Sequence, residues 1–426
     1  MRTILLLFLF IFSFRINSQT YVLIPDANFA NYLQAQMPSA MNGYSLNITS
    51  TQVTTTQSLT LVFQNIANLF GVQYFTSLVN LDCSNNSLTS LPTLPTSLSV
   101  LYCHNNSLSS LPTLPSSLTQ LECGYNSLSS LPALPNSLTS LKCHYNYITN
   151  LPTLPNSLAV LHCYKNSMPS LPVLPNTLTF LDCSDNSITA LPTLPASMTH
   201  LYCYKNSLTA SLPNLPSSLQ SLDCSVNSLS SIPALPNSLT SLTCYSNAIT
   251  SIPPLPSSMN GQFWCSYNLL TSLPSIPNSL NYLDCSNNQI KCFPVFPTFL
   301  STIILTGNPF LCLPNYVLPA MNMYTTTPIC VQGNADGCSV TGINEFNLAN
   351  YEISVYPNPS NKFITIETNK SETQTISLFD VIGRSVLTQA CSNKTTIDVT
   401  NLNEGIYNLI IKTDNNILNK KLVISR

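Results

Sequence analysis

The sequence predicts a mainly β chain: a repeat solenoid with a parallel β concave face and an extended, polyproline-like convex arm, followed by a small antiparallel β-sandwich. Three observations predict it. Eleven cysteines form a ladder, Cys83, Cys103, Cys123, Cys143, Cys163, Cys183, Cys203, Cys224, Cys244, Cys265 and Cys285, at steps of 20 residues with two steps of 21. Eleven asparagines keep the same register three positions on, from Asn86 to Asn288. The composition then changes: the 85 residues from Gly342 to Arg426 hold 16 of the chain's 30 charged residues, whereas the 213 from Leu78 to Ile290 hold nine.

Charged residues make up 7% of the 426, against roughly 25% in an average soluble protein. With a net charge of −2, the chain lacks the dense Lys/Arg surface that nucleic acid requires. The 32 prolines against 10 glycines punctuate the chain without making it flexible, and 44% hydrophobic residues suffice for a core.

Residues 1–18 read as a secretory signal peptide, with Arg2, the apolar run Ile4 to Phe12, and a small, polar Asn17-Ser18 before Gln19. The run is about half of what spans a bilayer, and no later segment is apolar enough to do so. Residues 19–57 read as an N-terminal cap in which Asp26 starts a short amphipathic helix carrying Phe29, Tyr32, Leu33 and Met37.

The solenoid is expected over 58–312. One unit reads Leu78-x-x-Leu81-x-Cys83-x-x-Asn86-x-Leu88-x-x-Leu91-Pro92-x-Leu94-Pro95-x-x-Leu98. Leu300, Ile303, Leu305, Asn308 and Phe310 continue the register, while Leu59, Leu61 and Phe63 fit a degraded first turn. This pattern resembles the leucine-rich repeat, and its 20-residue Leu-Pro-x-Leu-Pro form is similar to the short bacterial subclass found in effectors of enteric pathogens. Leu81 and Cys83 alternate with polar neighbours and so point inward from a short parallel strand. Asn86 can satisfy buried backbone where the chain leaves that strand. Pro92 and Pro95 favour an extended return arm, and Leu88, Leu91, Leu94 and Leu98 fill the middle. A single turn cannot bury its own core, so stability must come from stacking.

A metal store would need accessible thiolates at tetrahedral spacing, and disulfides need side chains aimed at each other, whereas ladder neighbours point the same way. The ladder cysteines are expected as small, buried, unreactive thiols. After the last turn, Cys292, Cys312, Cys330 and Cys338 suggest two disulfides in a cap and linker over 313–342, with three connectivities open.

Residues 343–426 alternate apolar and polar in five runs, Ile353–Tyr356, Phe363–Ile366, Thr375–Phe379, Ile406–Ile411 and Leu422–Ile424. The motifs Val355-Tyr356-Pro357-Asn358-Pro359-Ser360, Phe379-Asp380-Val381-Ile382-Gly383-Arg384, Gly405-Ile406-Tyr407 and Lys420-Lys421-Leu422-Val423 resemble the type A sorting domain of the type IX secretion system. The resemblance implies export through the periplasm, with the outer-membrane type IX machinery reading this domain as its signal. The product would be secreted or displayed at the cell surface, with no transmembrane segment in the mature chain.

Positions flanking the inward Leu and Cys face the concave side. They hold all nine charges between Leu78 and Ile290, Asp82, Glu122, Lys142, Lys165, Asp182, Asp185, Lys205, Asp223 and Asp284. All four histidines of the protein, His104, His144, His162 and His200, fall there with its one tryptophan, Trp264. Tyr102, Tyr125, Tyr145, Tyr164, Tyr202, Tyr204, Tyr245, Tyr267 and Tyr282 complete the set. These types are enriched in interfaces, and the return arm lacks them. Lys165, Asp185 and Lys205 should share one charge column, and Lys142, His162 and Asp182 another. Nothing in the pattern implies a catalytic constellation, cofactor or metal site. The expectation is a non-enzymatic exported binder of a protein or glycan ligand, with a structural envelope or matrix spacer as the alternative.

Overall fold

Leu81 and Cys83 leave the same side of a three-residue strand, so a turn needs a neighbour on each side to enclose them. In the computed structural model, thirteen strands from Ser58–Thr60 to Thr302–Ile304 stack in sequence order in one parallel sheet. The structure describes residues 20–209, 211–317, 320–324, 326–330, 353–368, 374–380, 384–412 and 417–426; the expected signal peptide, Cys338 and Gly383 lie outside them. The chain divides into two compact units at residues 339 and 340.

In the first unit, identical positions lie side by side: Leu81 pairs with Leu59 and Leu101, and Asp82 with Thr60 and Tyr102. Leu81, Cys83, Leu88, Leu91, Leu94 and Leu98 are all buried. Each such leucine contributes about 1.5–3 kcal/mol of burial. All eleven ladder cysteines are free thiols inside the stack. Burial pushes the Cys143 thiol up to about 12 and its ladder neighbours in the same direction.

The corner after each strand is closed by the asparagine. The Asn106 carboxamide donates to the Cys83 carbonyl of the preceding turn (3.0 Å) and to the Cys103 carbonyl of its own (3.2 Å). Its Oδ1 accepts the Leu88 N–H at 2.9 Å. The same bonding runs to Asn308, one rung beyond the last cysteine. The residue before each asparagine, from Asn85 to Asn287, is left-handed, with φ between 50° and 56°.

On the return arm, Pro92 and Pro95 sacrifice no ladder bond, because the arm forms none of the strands. A second ladder holds it. Ser97 Oγ donates to the Leu78 carbonyl (2.7 Å), Ser117 to Leu98 (2.6 Å), and so on to Ser279 with Met259 (2.6 Å). Phe299 takes this position in the next turn, is 80% exposed, and ends the series.

Both ends of the stack are covered. Asp26 Oδ1 accepts the Phe29 N–H (3.0 Å) and starts the helix Ala27–Gln36, while Oδ2 accepts the Ala67 and Asn68 N–H groups (2.7 and 3.0 Å), tying that helix to the first turn. Phe63 does not join Leu59 and Leu61 inside. It takes the left-handed corner position, φ 56°, and is 73% exposed. At the other end the Leu305 N–H donates to the buried Tyr324 hydroxyl (2.7 Å), which replaces the missing next strand. Cys312 is bonded to Cys330, and Cys292 is also disulfide-bonded.

The second unit has two antiparallel sheets, Ile353–Tyr356 with Phe363–Thr368 and Lys394–Asp398, and Ser385–Cys391 with Gln374–Phe379, Gly405–Lys412 and Ile417–Ile424. Ser385–Cys391 and Lys394–Asp398 are additional to the five expected strands; the second is Thr-rich and too short to show its alternation. The sorting motifs are joined: Asn358 donates to the Lys421 carbonyl (2.7 Å) and accepts from the Val423 N–H (2.9 Å). Arg384 Nε donates to Asp380 (2.9 Å), and the buried Tyr407 donates to the Asn403 carbonyl (2.9 Å).

Replacing Asn166 by Ala removes one of two donors to each of the Cys143 and Cys163 carbonyls, which keep Asn146 and Asn186, and leaves the Ile148 N–H without its acceptor. A loss of about 1–3 kcal/mol in denaturant unfolding is expected. The isosteric Asn166→Asp should cost at least as much, since it sets acceptors against two carbonyls. The ladder thiols of the native chain should ignore a thiol reagent at neutral pH and react only after unfolding.

Candidate ligand-binding face

The register sorts the outward residues into four columns across the sheet. Before the inward leucine stand His200 and Tyr282. Between leucine and cysteine stand Tyr102, Glu122, Lys142, His162, Asp182, Tyr202, Asp223, Trp264 and Asp284. Directly after the cysteine come His104, His144, Tyr164, Tyr204 and Tyr245, followed in the left-handed column by Tyr125, Tyr145, Lys165, Asp185, Lys205 and Tyr267. The sequence-predicted residues therefore share one side of the sheet, but they are not equivalent.

Asp182, Asp223 and Asp284 are occupied by the fold. Each carboxylate accepts both the backbone N–H and the hydroxyl of the serine two residues on, Ser184, Ser225 and Ser286, at 2.5–3.1 Å. Asp82 and Ser84 do the same. These aspartates close the turn. Burial raises the Asp182 and Asp223 carboxyls, and the serine hydrogen bonds partly offset the rise.

Rings form a connected path over the middle turns. Tyr125 stacks on Tyr145 (centroids 4.1 Å apart) and His144 on Tyr164 (4.6 Å). Phe180 lies 4.6 Å from His162, 5.7 Å from His200 and 5.5 Å from Tyr202. A second cluster holds Tyr245, Trp264 and Tyr282. Sequence reasoning missed Phe180 because it looked for polar and amphipathic types, although the column before the leucine had been assigned to this side. It also missed Tyr147, which is 65% exposed where most turns carry serine.

His144 is buried rather than presented. A Cβ on Gly124 would stand 2.8 Å from two atoms of its ring, so glycine is needed there to admit the imidazole. Its Nδ1 has no hydrogen-bond partner, and burial lowers the His144 pKa to about 4 against a smaller opposing pull from Glu122. Among the described residues no three His, Cys, Asp or Glu side chains group as metal ligands.

The expected charge columns are in register, but ion pairs form along them only in part. Lys205 pairs with Asp185 (2.9 Å), but Lys165 lies over the Tyr145 ring, 4.3 Å from its centroid. Lys142 reaches back to Glu122 (3.1 Å), which also faces His104 at 3.6 Å, instead of forward to His162. Such exposed pairs contribute about 0.2–1 kcal/mol each.

Residues 354–425 match the family described as Secretion system C-terminal sorting domain. Among solved structures, the chain is similar to YopM from Yersinia enterocolitica WA-314, at 33% identity over 59% of this chain and 65% of that one, TM-score 0.46. It is similar to the leucine-rich effector protein YopM from Yersinia pestis, at 32% identity over 61% of this chain and 80% of that one, TM-score 0.54. It also resembles the functional domain of InlJ from Listeria monocytogenes, which includes a cysteine ladder, at 20% identity over 94% and 97% of the two chains, TM-score 0.57. The chain spans less than two thirds of the Yersinia enterocolitica protein's length. No curated protein matches the sequence.

A histidine held below its unfolded pKa lends stability above that value and withdraws it as the pH falls. His144 should therefore weaken the fold between about pH 6.5 and 4, and the lowered His162 acts in the same sense. The raised Asp182 and Asp223 act in the opposite sense, so the test is a difference: His144→Phe should flatten the fall of the melting temperature from pH 7 to 4 relative to the unaltered chain.

Proposed function

The chain belongs to the leucine-rich-repeat proteins and ends in a type IX sorting domain, making it a secreted leucine-rich-repeat protein, and from that premise we propose that its concave face captures a protein or glycan ligand without catalysis. The carrying observation is the confinement of sequence variety to one side. From Leu78 onward the turns repeat their inward leucine (Phe263 in one), corner asparagine and return-arm prolines with little change, while the outward columns change from turn to turn. The left-handed column sharpens the point. A non-glycine residue there costs about 1–2 kcal/mol, least for asparagine. Asn85, Asn105 and Asn287 meet that preference, whereas Tyr125, Tyr145, Lys165 and Tyr267 do not. Their identities serve something other than the fold.

The ligand would meet Tyr102, Glu122, Tyr145, Tyr164, Tyr202, Tyr204 and Trp264 among the sequence-predicted set, with Phe180 added and the serine-bound aspartates withdrawn. Export would run through the outer-membrane type IX machinery, and a chain cut before residue 354 should accumulate in the periplasm.

The immobilised chain should retain a component of a glycan array or of a surface-protein extract. Changing Tyr202, Tyr204 and Trp264 together to Ser should weaken that retention by about tenfold or more, some 1.4 kcal/mol. Retention unaffected by the triple change, with its melting temperature preserved, would favour a spacer whose face has no ligand.

A further inference from the structure

At the rim of the concave face lies a recess of about 380 Å³ lined by Tyr125, Asn126, Tyr145, Asn146, Tyr147 and Lys165. We infer that this recess is a subsite for a carboxylate-bearing sugar unit of an acidic polysaccharide. The inference rests on the reading of the concave face as a binding surface and names the chemistry of its ligand.

Four observations carry it. The first is what lines the recess: rings, amides and one ammonium, with no aliphatic side chain. The rings make most of the recess surface apolar, and a pyranose presents C–H groups to such rings and oxygens to the donors beside them. The volume falls near the lower end of the roughly 300–1,000 Å³ of small-ligand sites. Secondly, Tyr125, Tyr145 and Lys165 sit at φ of 51–52°, where three sister turns use asparagine. The third is Tyr147, which is 65% exposed where Ser127 and Ser167 stand in the adjoining turns. Its hydroxyl has no hydrogen-bond partner among the described residues.

Charge supplies the fourth. Of the three face lysines, Lys142 and Lys205 are paired with carboxylates, while Lys165 makes no ion pair among the described residues and hovers over Tyr145. The Asn126 and Asn146 carboxamides are fully engaged in the corner ladder. The Tyr125 and Tyr145 hydroxyls and the Lys165 ammonium lie within reach of one another, so the Tyr147 hydroxyl and an ammonium unpaired with any carboxylate are what a ligand would meet, donors suited to an acceptor-rich ring carrying one carboxylate. One cation suits a polymer with one charge per sugar better than a densely sulfated one.

The test uses the full chain and calorimetric titration with oligogalacturonate and oligomannuronate, the methyl ester of the former, and poly-L-glutamate. At least one uronate should bind, the ester about tenfold more weakly. Lys165→Asn and Tyr147→Ser should each cost about tenfold or more. Both introduce the residue that sister turns hold at the same position, so melting curves should stay unchanged or rise. Binding of neither uronate, equal binding of the ester, indifference to Lys165→Asn, or poly-L-glutamate binding as tightly as the sugar would overturn the inference; the last would make the recess an acidic-peptide site. If uronates fail while the Tyr202, Tyr204 and Trp264 change still abolishes retention, the subsite falls and the broader reading stands.

Discussion

The corner carboxamide is the interaction on which the rest of the solenoid depends. A three-residue strand followed by a sharp turn leaves backbone carbonyls and an N–H inside the stack, where an unmet polar group costs about 1–3 kcal/mol. Asn106 meets them from both sides at once, donating to Cys83 and Cys103 and accepting from Leu88. Because two partners, Cys83 and Leu88, belong to the preceding turn and two, Cys103 and His104, to its own, the full set of bonds can form only when successive turns are in register. Leucine burial favours stacking in general, and asparagine makes one stacking specific.

Register then dictates what the outer face is. Identical positions recur about 4.8 Å apart along the sheet, within the roughly 4.5–7 Å between centroids of aromatic pairs, so outward rings of adjoining turns lie against each other. Tyr125 on Tyr145 and His144 on Tyr164 follow from that spacing, while Tyr245 meets Trp264 from the neighbouring column. Where an aspartate stands instead, it turns back to the serine two residues on and leaves the surface quiet. The face is therefore mixed: turns whose outward residues complete the fold, and turns such as those around Tyr145 whose outward residues do not.

Much of this was legible in the letters. The cysteine and asparagine spacings predict the turn, its inward side and its corner, and Asp26 announces the capping helix. The tail motifs predict a domain whose match covers 354–425. What escaped has physical causes. The sign of φ leaves no trace in a hydrophobic pattern, so the left-handed column, with Phe63 in the corner of the first turn, was invisible. Ser97 donates to a carbonyl nineteen residues back, a bond set by stacking rather than by local sequence. The Asp-Cys-Ser triplets at 82–84, 182–184, 223–225 and 284–286 were visible, and their recurrence could have identified the aspartates as turn-closing. Lys165 keeps its expected column but not its expected ion pair, because the neighbouring Tyr145 ring lay within reach of its ammonium.

Amide hydrogen exchange on the full chain tests the central claim most directly. If the carboxamides set the register, the N–H groups they accept, those of Leu88, Leu108, Leu128, Ile148 and their counterparts up to Ile290, exchange as one slow block. Exchange at those amides as fast as at the exposed return-arm residues Thr93 and Thr113, or falling off independently turn by turn, would contradict it.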